Sequence, residues 1–342
     1  MTVVAPMESV AVMGFAEVIQ HLPAIRRARA ELLRLLAQDP DSIFLPIDSP
    51  GLNLGLATAA RRMGRRVVYY VLPQIWAWGR GRVRRIREDV DLTLLLFRFE
   101  EEVARSEGLP ARWVGHPAGA LAPDAAARAT ARAELGVDAA ERLIVILPGS
   151  RSGEVRRHLA PMLDAAARLV SGTGRPTRVA VSDAGPVLAE STRGEAQALW
   201  SAIRPIRVAG SVEPVLRAAD LALVASGTAT LEAAALSAPL VIVYRTGWLN
   251  YQIARRLVRL HRVGLANIVL DQDVAPECIQ EHATGTEIAI RGGALLEDPA
   301  RLEAQRAAFA RLPGLLGGAG SAGRAADALL EFVGRGRAGA GS

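Results

Sequence analysis

Lysine is absent from this chain; every side chain in the Lys+Arg count of 41 is an arginine. Without a lysine amine, no Schiff base to pyridoxal phosphate can form, and a Walker A loop lacks the residue that reaches the phosphates. Cysteine is nearly absent too. The single Cys278 excludes an intramolecular disulfide and a cysteine-based metal cluster, and fits a reducing compartment. Five histidines without a close cluster argue against a zinc site. Aromatic residues make up 4% of the chain against 50% hydrophobic, so the interior is aliphatic, the composition of helices packed on parallel sheets. The N-terminal MTVVAPMESVAVMG has no basic region ahead of an apolar stretch, so no secretory signal is read and a cytoplasmic chain is expected. One long apolar run, Leu221 to Tyr244, carries a single charge, Glu232, over a length that could cross a bilayer. Ser226-Gly227-Thr228 and Pro239 break it into strand, helix and strand of globular length.

What is present is a chain of 342 residues, enough for two α/β domains, with a net charge of +6 that favours anionic partners. Apolar, β-prone runs recur at 43–47, 67–71, 92–97, 143–147, 178–181, 221–224 and 240–244, with helix-like segments between most of them. That alternation predicts parallel sheets with right-handed crossovers. The Ala/Pro-rich stretch from Ala118 to Asp124 and the helix-like segment to Leu135 read as a linker, which places a boundary near Gly136. The expected division is an N-terminal domain over 1–136, a C-terminal domain over 137–312, and a remainder over 313–342. That remainder comprises a flexible GGAGSAG stretch, a short helix expected to pack back towards the N-terminal domain, and a disordered tail. Two doubly wound domains of this kind place ligands at the carboxyl ends of their strands, facing the interdomain cleft.

Two loops carry the strongest chemical signal. LPGSRSGEV, Leu147 to Val155, follows a strand and leads into a helix; Gly149 and Ser150 make the turn and Arg151 adds a planar cationic fork near free backbone N–H groups. The plainer reading is an ordinary β-to-α connection with a capped helix. SGTATLEAA, Ser226 to Ala234, repeats the arrangement. Small residues let the backbone approach a ligand, Ser226, Thr228 and Thr230 supply hydroxyls around Gly227, and Glu232 could accept from a ribose diol. Alone it could equally be a capped helix with a dipole-favoured glutamate. The two together favour a nucleoside diphosphate site. In the N-terminal half, Asp48 stands at the end of a strand before a Pro-Gly turn, where a general base would sit, although spacing alone favours an Asx-turn. His116, in VGHP, is a second possible base or a histidine held in a turn by Pro117. WAWGRGRVRRIR combines Trp76 and Trp78 with Arg80, Arg82 and further arginines, fitting a phosphate-bearing and partly apolar ligand, a membrane surface, a nucleic acid, or a solvated basic helix face with its tryptophans in the core. Trp248 to Arg262 is amphipathic at helical spacing, with Arg255, Arg259 and Arg262 on the polar face.

Taken in order, these pieces resemble lipid-A-disaccharide synthase, an inverting glycosyltransferase family of GT-B architecture. The match is colinear: VMGFAEVI at Val12 to Ile19, IDSPGLN at Ile47 to Asn53, YVLPQIWAW at Tyr70 to Trp78, and VGHP at Val114 to Pro117. It continues through LPGSRSGEV, SGTATLEAA, VYR at Val243 to Arg245, Ala266-Asn267, and PECIQ at Pro276 to Gln280. The resemblance implies an α/β fold of two doubly wound Rossmann-like domains. It implies transfer of a sugar from UDP-2,3-diacylglucosamine to 2,3-diacylglucosamine 1-phosphate (lipid X), giving a β-1,6-linked disaccharide and UDP, with no metal. On the matching positions, Gly149, Ser150, Arg151, Ser226, Gly227, Thr228, Thr230, Glu232, Asn267 and Gln280 would hold the UDP-sugar, and Asp48 would be the base. Trp76, Trp78, Arg80, Arg82, His116, Arg255 and Arg259 would meet the acceptor or an anionic membrane surface. The chain would then be cytoplasmic, peripheral to the inner membrane, and able to form a homodimer. The family pattern usually has a strand, a GEASGD-type loop and a further βα unit upstream of VMGF, so an N-domain sheet short of its first strand is expected. Rival readings are a UDP-N-acetylglucosamine 2-epimerase on the same scaffold and a non-catalytic nucleotide- or membrane-binding remnant. A nucleic-acid binder rests only on charge and arginine clusters and lacks a recognition motif.

Overall fold

The computed structural model describes residues 3–4, 15–76, 80–172, 174–183, 185–247 and 262–338. Its backbone divides into two compact units, 1–115 together with 321–342, and 116–320.

Unit one runs α1 (Phe15–Gln38), β1 (Ile43–Phe44), α2 (Pro50–Arg62), β2 (Arg66–Tyr70), α3 (Val83–Asp89), β3 (Leu92–Leu95), α4 (Glu100–Ser106) and β4 (Ala111–Trp113). The strands form one parallel sheet in the order β1-β2-β3-β4. Because side chains alternate along a strand, β2 feeds two cores. Val67 and Tyr69 pack with Leu54, Ala57 and Ala60 of α2 and Ile86 of α3. Val68 and Tyr70 face the other way, with Leu94, Val114 and Ala328.

Unit two opens with α5 (Ala125–Glu134), capped by the Asp124 carboxylate on the N–H groups of Ala126 and Ala127. It continues through β5 (Arg142–Leu147), α6 (Ser152–Gly172), β6 (Thr177–Ser182), α7 (Pro186–Ser191), α8 (Glu195–Ile203), β7 (Ile206–Val208), α9 (Glu213–Ala218), β8 (Leu221–Ala225) and α10 (Thr228–Ala235). Then come β9 (Leu240–Tyr244), α11 (Leu265–Leu270), β10 (Glu277–Ile279), α12 (Gly285–Glu297), α13 (Pro299–Phe309) and α14 (Leu312–Leu315). The six parallel strands are ordered β10-β9-β8-β5-β6-β7. The apolar run from Leu221 to Tyr244 is thus strand, helix and strand, and no described helix is long and apolar enough to cross a membrane.

The division between units falls after Gly115, upstream of the boundary expected near Gly136. Polar anchoring explains the difference. Arg128 and Arg132 of α5 both pair with Asp220, at 2.7 and 3.1 Å, and donate to the carbonyls of Arg217, Ala218 and Ala219, which fixes α5 to unit two. The segment read as flexible beyond Leu315 leads directly into α15 (Ser321–Ala338), a full helix that belongs to unit one. Arg324 donates to the Val114 carbonyl at 2.8 Å, Arg66 to the Val333 carbonyl at 3.3 Å, and Arg112 pairs with Glu331 at 2.6 Å.

Candidate functional site

From β5 the chain winds outward through β6 and β7, then returns to the far side of β5 as β8 and winds the other way through β9 and β10. The switch point therefore lies between β5 and β8, whose loops emerge side by side at the carboxyl ends of adjacent strands. Open α/β sheets bind ligands at such a point, because the flanking loops turn away in opposite directions and leave a crevice. Those loops are Pro148–Arg151 and Ser226–Gly227, the two singled out in the sequence.

In the first loop Gly149 adopts φ +118°, a conformation that favours glycine. The Arg151 carbonyl accepts from Glu154 and Val155 and starts α6, a helix of 21 residues whose N-terminus favours anions. Arg151 itself is exposed and pairs with Glu154 at 2.9 Å. Sequence reasoning missed two residues here. Glu154 reaches back over the turn, accepting from Ser150 N–H at 3.1 Å, as the glutamate of a capping box does. His158, only 1% exposed, joins Pro148 O (Nδ1, 3.0 Å) to the Arg245 N–H (Nε2, 2.8 Å). That pairing fixes a neutral ring with the proton on Nδ1, and burial holds its pKa below the usual imidazole range. The ring thereby ties the loop after β5 to the segment after β9. No spacing in the sequence distinguishes it from any other helical histidine.

The second loop divides by role. Ser226 donates to Val263 O at 2.9 Å and the buried Thr230 to Gly227 O at 2.7 Å, so both hydroxyls shape the loop instead of facing a ligand. Thr228 is exposed at the start of α10. Glu232 is half-buried, its carboxylate makes no hydrogen bond among the described residues, and that carboxyl is pushed up by burial first and by the Glu213 charge second.

Asn267 and Gln280 differ from expectation. Asn267 is 1% exposed, and its amide donates to Ala275 O and Glu277 Oε1 while accepting from Val274 and Ala275 N–H. Every side-chain position is used, so the residue locks the 263–277 segment and has no donor left for UDP. Glu277 completes the lock by accepting from the N–H groups of Val263 and Gly264, both at 2.9 Å. Gln280 accepts from Thr246 N–H at 2.7 Å and donates back to Thr246 O, clamping the loops after β9 and β10 together.

In unit one, Asp48 and Ser49 both adopt positive φ, 48° and 46°, which is uncommon for non-glycine residues and marks a strained corner. The corner is held through the backbone. Asp48 N–H donates to Tyr70 O, and Asp48 O accepts from Asn53 Nδ2 at 2.8 Å and from the Tyr69 hydroxyl at 2.7 Å. The carboxylate makes no hydrogen bond among the described residues. The Asx-turn reading is thus replaced by a carboxylate free to act, above a carbonyl that others restrain. Burial foremost, then the Asp48 charge, raises the Tyr69 pKa, whereas the Arg82 charge lowers it, so Asp48, Tyr69 and Arg82 share one neighbourhood.

Two other expected contact residues are turned inward. Trp76 donates to Glu100 at 3.1 Å and meets Phe99 edge-on; Glu100, 2% exposed, has its carboxyl raised to about 7 by burial. His116 is buried, its Nδ1 accepts from Ala118 N–H at 3.0 Å to cap the turn Pro117–Ala120, and burial lowers its pKa to about 4. A ring so engaged and desolvated is an N-cap and a poor base at neutral pH. The Arg80 side chain, Trp78, Arg255 and Arg259 lie outside the described residues. Arg262 is paired with Asp271 and Asp273, both at 2.6 Å.

The family model described as Lipid-A-disaccharide synthetase matches residues 1–313. The lipid-A-disaccharide synthase of Alkalilimnicola ehrlichii is 39% identical over 96% of this chain and 86% of its own length. That of Anaeromyxobacter dehalogenans is 38% identical over 96% and 85%. Among solved structures, Anabaena HepE in complex with UDP and glucose superposes with a TM-score of 0.56 at 14% identity, covering 89% of this chain and 81% of HepE. The fold is GT-B, built of two Rossmann-like units.

Proposed function

Because this chain belongs to the lipid-A-disaccharide synthetase family and is a glycosyltransferase that forms the lipid A disaccharide, we propose that it joins UDP-2,3-diacylglucosamine to 2,3-diacylglucosamine 1-phosphate. The observation that carries the donor side is the switch point between β5 and β8, flanked by a cationic loop and a hydroxyl-bearing one. The diphosphate lies against the N-termini of α6 and α10, near Arg151 and the Thr228 hydroxyl, with Glu232 accepting from the ribose. Backbone N–H groups, helix dipoles and a guanidinium stabilise charge developing on the leaving UDP without reorganisation. Gly149 and Gly227 let the backbone approach. Ser226, Thr230, Asn267 and Gln280 act at one remove, by holding these loops in place.

Asp48 is the proposed base. It takes the proton of the acceptor 6-hydroxyl as that oxygen attacks the anomeric carbon; the bond from that carbon to the diphosphate breaks, UDP leaves, and the configuration inverts. A carboxylate without a competing partner suits this role, and Arg82 adds positive charge nearby for an anionic acceptor. The acceptor's acyl chains call for work at an anionic membrane surface, which the arginine-rich segment around Arg82 would meet from the cytoplasmic side.

Incubating the full chain with both substrates, then measuring UDP release and disaccharide mass, tests the reaction. Disaccharide and UDP are expected in equal amounts and only when both lipids are present; UDP release without acceptor overturns the reading. Asp48→Asn is expected to lower kcat by about 10²-fold or more, the usual scale for losing a general base, with KM for the donor little changed. Full activity in that variant removes Asp48 from the mechanism.

A further inference from the structure

The hollow in which a ligand phosphate is expected already holds an anion supplied by the chain. Glu154 Oε2 accepts from Ser150 N–H at 3.1 Å and Arg151 N–H at 3.4 Å, while Oε1 accepts from the Arg151 guanidinium at 2.9 Å. The side chain lies directly across Gly149. A Cβ at that position would stand 2.5 Å from Glu154 Cβ and 2.6 Å from Oε2, so the fold-back demands glycine there independently of the positive φ. The donors that make this loop an anion cradle are therefore the ones the glutamate uses, and a carboxylate and a phosphate cannot share them without like-charge repulsion.

We propose that Glu154 is an internal competitor for the diphosphate: it closes the cradle in the free protein and swings out when a nucleoside diphosphate enters. Arg151 then exchanges its carboxylate partner for phosphate oxygens. This rests on reading Pro148–Arg151 as the diphosphate loop. The exchange is downhill because the internal pair is weak. Arg151 and Glu154 are 47% and 28% exposed, three residues apart on the surface, in the range where an ion pair adds little. A diphosphate offers more charge and more acceptor oxygens to the same backbone and guanidinium donors. Until then the glutamate keeps the N–H groups of Ser150 and Arg151 paired and the guanidinium positioned, so the loop meets its ligand already folded.

The test is calorimetric titration of UDP into the wild-type chain, Glu154→Gln and Glu154→Asp, with a thermal melt of each. Gln keeps the cap geometry but removes the charge; Asp keeps the charge but falls one methylene short of the cradle. Both variants are expected to bind UDP about fivefold tighter than wild type, the equilibrium equivalent of one exposed ion pair. A glutamate that served only as a helix cap would lower the melting temperature and leave UDP affinity unchanged or weaker. Wild type that binds UDP beside two variants that bind no tighter overturns the competitor role alone. Wild type that fails to bind UDP overturns the diphosphate reading and this inference with it.

Discussion

At the scale of single residues, two buried histidines have different jobs. His158 braces two loops of unit two and His116 caps a turn, and burial disfavours the cation of both. For His116, whose pKa falls from an ordinary 6.5 to about 4, the linkage has a definite sign. The stabilisation is fully present above pH 6.5 and is lost as pH falls through about 4, with a ceiling of about 3 kcal/mol. His116→Asn retains an acceptor for Ala118 N–H but does not titrate. Its melting temperature is expected to fall less than that of wild type between pH 7 and pH 4.5; parallel curves would contradict the assignment. The mixed outcome at the candidate site has the same origin. The placement of Arg151, Thr228 and Asp48 just beyond a strand's carboxyl end was legible in their motifs, while their proposed roles await the tests above. Which of Ser226, Thr230, Asn267 and Gln280 would be consumed by the backbone was not, because that depends on segments up to 37 residues away, as with Ser226 and Val263.

Among the elements, the long buried strands and the edge strands β1 and β4 were readable, and the short edge strands β7 and β10 were not. β5, β8 and β9 are continuous apolar runs bounded by turn residues, whereas β7 and β10 have three residues each and take their pairing from neighbours. What replaces a long apolar signature is polar locking. Asn267 joins α11 to the approach of β10 with four hydrogen bonds. Asn267→Ala leaves buried N–H and C=O groups unpaired and is expected to cost about 2–4 kcal/mol in urea unfolding. Asn267→Asp should cost more, since it adds a second carboxylate beside Glu277. Gln305 does the same for the start of β9, exchanging hydrogen bonds with both the N–H and the C=O of Leu240 from its place in α13. An Asn267→Ala protein as stable as wild type would show that the segment is held by packing alone.

For the whole molecule, the sequence reading placed the last helix near the first unit but had no means of seeing how deeply that unit depends on it. α15 provides Ala325, Ala328, Leu329 and Phe332 to one face of the β1–β4 sheet, and its polar contacts run to Arg66 and Arg112 of the sheet and to the Val114 carbonyl just beyond β4. Ending the chain after Gly320 strips that face of apolar cover. Calorimetry of the truncated chain is expected to show the transition of unit two preserved and that of unit one lowered or lost, with protease cleavage concentrated before residue 115. A truncated chain with both transitions intact would refute that dependence.

That same return of α15 sets an order on biosynthesis. A ribosome delivers residues 116–320 while the sheet of unit one still has an open face, so unit two can finish folding before the sheet that precedes it. The sheet of unit one is then completed after unit two, with one apolar face uncovered until α15 leaves the exit tunnel. A chaperone acting during translation is expected to engage the β1–β4 sheet until α15 has emerged to cover it.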